Sequence, residues 1–291
     1  TWTYWVDRAH PALAGDDEIG ESERAKARRQ LVAIAGQMSF YGKLAAEELG
    51  HELRLPARPV PLTAEERAAA AGHAGLARAL QLIGLGLRSE GNREWNFSLR
   101  GMGDRQLLAA AQLACDRTVW DRCISASDRT RGEVDVAQRF PTPFREAVLA
   151  EAARTGVDPS YVYGLIRQES RFITDARSHA GASGLMQLMP ATARYTAKRL
   201  GVPYTPAQIN DRGTNLRLGM GYLKMLLDDF DGSQALAAAG YNAGPGRPRR
   251  WRDGPQLEPA MWAETIPFGE TRDYVKKVLS NAVYYAAILG T

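Results

Sequence analysis

Apolar residues recur at three- and four-residue spacing through most of the chain. Nothing in its first 140 residues alternates with the period of two that marks a half-buried strand. In that first part the repeat predicts helices over 21–36, 38–50, 64–85, 104–117 and 120–127. Thr63 followed by Glu66 is a capping-box pattern, in which each side chain satisfies an orphan backbone N–H at the start of the third of these. Later, Thr142-Pro143 reads as an N-cap with proline at the first helical position, and Gly156 as the left-handed cap that closes that helix. Asp158-Pro159 repeats the start signal and opens a helix to about Ser170. More helices are predicted near 190–200, 213–230, 233–240 and 270–289, with irregular stretches at 172–189 and 241–268. The pattern therefore predicts an all-α protein. A polar and then proline-bearing segment, 128–142, separates residues 1–140 from residues 141–291 and marks the expected domain break.

Composition narrows this picture. Hydrophobic residues at 45% and charged residues at 24% suit a globular protein, and 291 residues suffice for one large or two ordinary domains. No apolar run approaches the roughly 20 residues needed to span a bilayer. The chain opens on Thr1-Trp2-Thr3-Tyr4-Trp5 without an export segment, which reads as a mature or trimmed start. The net charge is +4. Residues 1–140 are balanced, so the whole excess lies in the second part, a modest and dispersed surplus that suits an anionic polymer better than nucleic acid. Cys115 and Cys123 have no histidine near enough in sequence for a zinc site, and no metal or cofactor is expected. On one continuous helix they would lie about 12 Å apart, too far for a disulfide. A break near Thr118 would let them face each other, but unpaired buried thiols are the default expectation.

Candidate chemistry centres on Glu169. Val162, Leu165, Ile166 and Glu169 share one helical stripe, so the carboxyl ends an apolar face. Desolvation disfavours its charged form and raises its pKa, as a general acid near neutral pH requires. The bland reading is a Glu paired with Arg167 or Arg171.

Three further segments shift the balance: Arg177-Ser178-His179-Ala180-Gly181-Ala182-Ser183-Gly184-Leu185-Met186-Gln187-Leu188-Met189-Pro190, Gly240-Tyr241-Asn242-Ala243-Gly244-Pro245-Gly246, and Ile266-Pro267-Phe268-Gly269-Glu270-Thr271-Arg272-Asp273-Tyr274-Val275. With the Glu169-Ser170 helix they resemble, in order, the catalytic domain of the Slt-type soluble lytic murein transglycosylases, relatives of goose-type lysozyme. Trp2-Thr3-Tyr4-Trp5, Phe40-Tyr41-Gly42 and Arg139-Phe140-Pro141 look like the helical linker domain that precedes catalysis in that family. The resemblance implies a helical linker or superhelical-type domain over 1–140, N-terminally truncated, and a lysozyme-like, mainly helical catalytic domain over 141–291. Glu169 then matches the catalytic acid/base. Ser178, Gln187 and Met189 match cleft-lining positions, Tyr241 and Glu270 match polar groups opposite the carboxylate, and Tyr222 and Asn242 are expected neighbours. Met186 reads as helix-end packing. Pro248 stands where the family usually has a small aliphatic residue, and a local backbone change is expected there. The run Arg247-Pro248-Arg249-Arg250-Trp251-Arg252 reads as a solvated flank of the glycan cleft.

The activity implied is cleavage of the β-1,4 bond between N-acetylmuramic acid and N-acetylglucosamine by one carboxylic acid, closing a 1,6-anhydro ring. Peptidoglycan glycan strands are the implied partner and the periplasm the implied location. Most glycosidases use two carboxylates, and neither Asp175 nor Glu270 reads as the second. The rivals are goose-lysozyme-like hydrolysis and a non-catalytic peptidoglycan-binding scaffold, in which 1–140 would recruit other wall enzymes.

Overall fold

The computed structural model describes residues 2–52 and 54–290, so Thr1 of the aromatic opening lies outside the described residues. Among them are seventeen α-helices and no strand. The first part holds α1 (Trp2–Leu13), α2 (Glu18–Ala35), α3 (Phe40–Glu48), α4 (Ala64–Gly72), α5 (Ala74–Gly84), α6 (Arg88–Ser98), α7 (Asp104–Asp116), α8 (Trp120–Ser127) and α9 (Val136–Arg139). The second holds α10 (Arg145–Thr155), α11 (Pro159–Glu169), α12 (Pro190–Leu200), α13 (Arg212–Asp229), α14 (Gln234–Ala243), α15 (Gly246–Trp251), α16 (Pro259–Thr265) and α17 (Gly269–Leu289). No helix among the described residues is long and apolar enough to cross a membrane.

Several starts and stops follow the local chemistry read from the sequence. Thr63 and Glu66 form the reciprocal capping box of α4. The Asp158 side chain accepts from the Ser160 N–H ahead of Pro159, and Gly156 closes α10 in the left-handed conformation at φ 71°. Other expectations need correction. The helix expected over 64–85 is two helices. His73 is extended between them, and its ring Nδ1 accepts from the Leu76 N–H as an N-cap would. The helix α6 escaped the apolar pattern because only Gly91 and Trp95, one turn apart, are buried on an otherwise polar segment. Thr142 is not the cap of α10. That helix starts at Arg145 after a left-handed Phe144 (φ 58°), and the hydroxyls of Tyr285 and Tyr163 donate to the carbonyls of Pro141 (3.1 Å) and Pro143 (2.9 Å). Residues 241–268 are not wholly irregular, since α15 and α16 lie within them.

Cys115 and Cys123 are bridged, against the default expectation, with their Cα atoms 5.1 Å apart. The helix breaks at Thr118, a left-handed residue at φ 56°, so α7 and α8 fold back on each other and bring the two sulfurs together. Closing so short a loop restricts the unfolded chain by about 2–3 kcal/mol.

Packing sorts the helices into layers. Tyr4, Leu31 and Ala45 knit α1–α3. Leu76, Trp95, Leu107 and Ala111 form a second cluster under α5–α8. The largest core gathers Val162, Leu165 and Ile166 of α11 with Leu223, Ala238, Val275 and Val278, and it also takes in Ile124 and Phe140. The α1–α3 layer is tied to α16 and α17 by polar contacts. Tyr41 bonds Glu264, the Lys276 ammonium donates to both (3.1 and 3.2 Å), and Lys43 donates to the Ser280 hydroxyl at 2.7 Å while lying over the Tyr284 ring.

Candidate active site

The helix α11 lies inside the main core against α17, and every residue from Ser160 to Ile166 is buried. Glu169, its last residue, is the first to reach partial exposure with an ionisable carboxyl. Neither arginine of the bland reading pairs with it. Arg167 is held by Asp128 and the Arg139 carbonyl, and among the described residues the one side chain bonded to Glu169 is Tyr274, whose hydroxyl donates to Oε1 at 2.5 Å. Burial pushes the carboxyl up to about 7, and the Tyr274 hydroxyl bond pulls in the opposite direction. Burial together with the facing carboxyl raises the Tyr274 and Tyr241 hydroxyls well above their usual range, so both remain proton donors. Just past Glu169 the chain turns sharply through Arg171 (φ 50°) and Phe172 (φ 68°), two successive non-glycine residues in the left-handed region. Each such residue costs about 1–3 kcal/mol. The Ser170 hydroxyl accepts from the Phe172 N–H and steadies the turn.

The Ser183–Leu188 loop faces this helix end. Asn215 of α13, fully buried, holds it from within by accepting from the Met186 N–H (2.8 Å) and donating to the carbonyls of Ser183 (3.0 Å) and Ile209 (2.8 Å). Gly184 at φ 83° lies against that amide, and a Cβ there would sit 2.2 Å from Asn215 Nδ2, so only glycine fits. Met186 is buried, as its packing role required. The Tyr241 hydroxyl donates to the Met186 carbonyl at 2.8 Å, and the Tyr222 ring lies 5.5 Å from that of Tyr241. These contacts bring Glu169, Tyr274, Tyr241, Tyr222 and the loop into one wall.

The remaining sequence candidates stand around it. The Gln187 side-chain amide donates back to the carbonyls of Ala176 and Gly184, which leaves its Oε1 for a ligand. Ser178 accepts from the Ala182 N–H in the turn that leads into the loop. Met189, 41% exposed, starts α12 at the rim. Asn242 accepts from the Thr271 hydroxyl at 2.7 Å, and Glu270 is exposed in the first turn of α17. Among the described residues none of these four, nor Gln187, forms a hydrogen bond or ion pair with Glu169. Sequence reasoning missed Tyr274 and Asn215 as site residues. The signals were available: Tyr274 falls one helical turn after Glu270, and Asn215 falls two turns before Tyr222 on the same face.

Fold and site together define a lysozyme-like helical domain joined to an all-helical accessory part. Residues 146–259 match the transglycosylase SLT domain, residues 69–131 the soluble lytic murein transglycosylase L domain, and residues 265–291 the soluble lytic transglycosylase helical domain. Over 99% of its length the chain is 29% identical to soluble lytic murein transglycosylase of Escherichia coli strain K12, covering 44% of that protein, and 30% identical over a like span to that of Salmonella typhimurium. A solved structure of an inactive mutant of lytic transglycosylase Slt from Pseudomonas aeruginosa superposes with a TM-score of 0.87 at 35% identity, over 99% of this chain and 46% of that one. The Escherichia coli 70 kDa enzyme in complex with bulgecin A superposes at 0.80 with 28% identity. Over nearly its whole length the chain is similar in sequence and fold to Slt-type soluble lytic transglycosylases, and it spans less than half the length of the curated relatives it matches.

Proposed function

We propose that the chain is a peptidoglycan lytic transglycosylase acting in the periplasm on cell-wall turnover, with residues 141–291 as its catalytic unit and 1–140 as a helical unit packed against it. The observation that carries this reading is the Glu169 carboxyl, pushed up to about 7 and bonded by a single neutral hydroxyl. Such a group is protonated near neutral pH and can donate to a glycosidic oxygen. Asp175 and Glu270 are exposed, and among the described residues no carboxylate is hydrogen-bonded to Glu169. A one-carboxyl route fits. Glu169 protonates the oxygen between N-acetylmuramic acid and N-acetylglucosamine as its bond to the muramic C1 breaks and N-acetylglucosamine leaves as the alcohol. Ionised, Glu169 then takes the proton of the muramic C6 hydroxyl as O6 closes on C1. The intramolecular nucleophile carries a large effective molarity. The tyrosine wall, the Gln187 carbonyl, Ser178, Met189, Asn242 and Glu270 supply the apolar faces and hydrogen-bonding groups a sugar chain needs. The Pseudomonas relative, named as a lytic transglycosylase, supports the same reading.

The test is the mass of the products. Digestion of purified peptidoglycan is expected to release muropeptides lighter by one water than hydrolytic ones. Hydrated products would make the protein a lysozyme, and no release at all would favour a binding scaffold. Tyr274→Phe gives a second check. Its hydroxyl stabilises ionised Glu169, so its loss raises the carboxyl pKa. The acid form persists to higher pH, and the alkaline limb of the pH–rate profile moves up. An unmoved limb, or a limb moved down, would remove Tyr274 from this role.

A further inference from the structure

We propose that Arg247, braced on the face of Phe268, receives the carboxylates of the stem peptides carried by the glycan strand; the proposal rests on the glycan-cleaving reading above. Along the first turns of α17 the contacts run in one direction: Tyr274 bonds Glu169, Thr271 bonds Asn242, and Phe268 caps the helix start. At 1.5 Å per residue Phe268 lies roughly 9 Å along the axis from Tyr274, a distance at which the muramic acids flanking the cleaved bond would carry their peptides. Phe268 is 46% exposed and is supported edge-on by Trp251 at 5.2 Å. The Arg247 guanidinium lies over its ring at 4.9 Å and donates through Nη1 to the Ala243 carbonyl at 2.7 Å, one residue beyond Asn242. Those two contacts fix its orientation and leave its other N–H groups unspent, in the planar fork that matches a carboxylate.

The rest of the basic run does not share this placement. Arg249 is paired with Asp229 and Arg252 with Asp231. Arg250 is exposed, and among the described residues neither it nor Arg247 has an acidic partner. Pro248, expected to alter the backbone, sits buried in the first turn of α15, where its missing N–H would have been an orphan. The helix thus runs through it and carries Arg247 toward Phe268. Stem peptides are rich in carboxylates, whereas a stripped glycan offers only those of its lactyl groups.

The experiment compares kcat/KM on stem-bearing glycan strands with that on strands whose peptides an amidase has removed. Arg247→Ala is expected to lower the ratio of the two about ten-fold, through KM, with Arg247→Lys falling between. Arg250→Ala, which removes the same charge three residues on, is expected to leave the ratio unchanged. An unchanged ratio in Arg247→Ala, or an equal fall in Arg250→Ala, would overturn the proposal. If the wild-type protein cleaves neither substrate, the proposed function fails separately. Co-sedimentation with the two kinds of insoluble wall material then tests Arg247: a loss of affinity confined to stem-bearing walls supports it, and equal binding by wild type and Arg247→Ala overturns it.

Discussion

Glu169→Gln is expected to fold normally, to be no less stable than the wild type at pH 8, and to lose the chemical step by about 10³-fold or more, in line with the contribution of a positioned general acid. The amide has the same shape and can still accept the Tyr274 hydroxyl now bonded at 2.5 Å, so the wall of the cleft keeps its form. What it lacks is a transferable proton and, in the second half of the reaction, a base. The stability side follows from linkage. The folded carboxyl is raised from 4.5 to about 7 by burial, so the folded state holds its proton more tightly than the unfolded chain. The stability this contributes is fully present below pH 4.5 and is lost as pH rises through about 7. Gln does not titrate and escapes that loss. Thermal melts of the two proteins at pH 4 and pH 8, beside turnover on peptidoglycan, check both parts. A variant that kept even a tenth of wild-type turnover would show that the acid lies elsewhere. One that melted far below wild type at pH 8 would show that the carboxylate holds the fold together.

Where the sequence was legible, one local rule acted alone. The Thr63–Glu66 box, the Asp158-Pro159 start and the Gly156 stop depend on neighbours in the chain, and the structure places all three as read. The stripe that ends at Glu169 was equally plain, because four residues at helical spacing define both the buried face and the group that emerges from it. Legibility failed where a distant partner decided the outcome. Thr142-Pro143 carries a good start signal, yet Tyr163 and Tyr285 take the carbonyls on either side of Thr142 and delay the helix. The Cys115–Cys123 bridge depended on the left-handed turn at Thr118, which no glycine advertised. Tyr274 stood in a recognised motif, but its part at the carboxyl emerges only when α17 is laid against α11.

That close approach of two helices yields the second large effect. Gly164→Val is expected to lower the unfolding free energy by about 3 kcal/mol or more, at the severe end of overpacking, and to drop Tm by roughly 10 °C for a chain of this size. A Cβ at Gly164 would lie 2.8 Å from the Val278 carbonyl oxygen and 2.9 Å from the Ala282 nitrogen. Both are backbone atoms of α17, so no side chain can swing away and the helices themselves must separate. Their separation also pulls apart Glu169 on α11 and Tyr274 on α17. Water admitted beside Glu169 would relieve the burial that outweighs the Tyr274 bond, so the alkaline limb of the pH–rate profile of whatever enzyme remains folded should move down, opposite to Tyr274→Phe. Gly164→Ala should fall between, its steric cost partly offset by better helix propensity. Gly72→Ala, whose Cβ would meet nothing within 4 Å, should be neutral or slightly stabilising. If Gly164→Val melted within a few degrees of wild type, the two helices could not be as close as this arrangement requires, and the distance that tunes Glu169 would have to be set by some other contact.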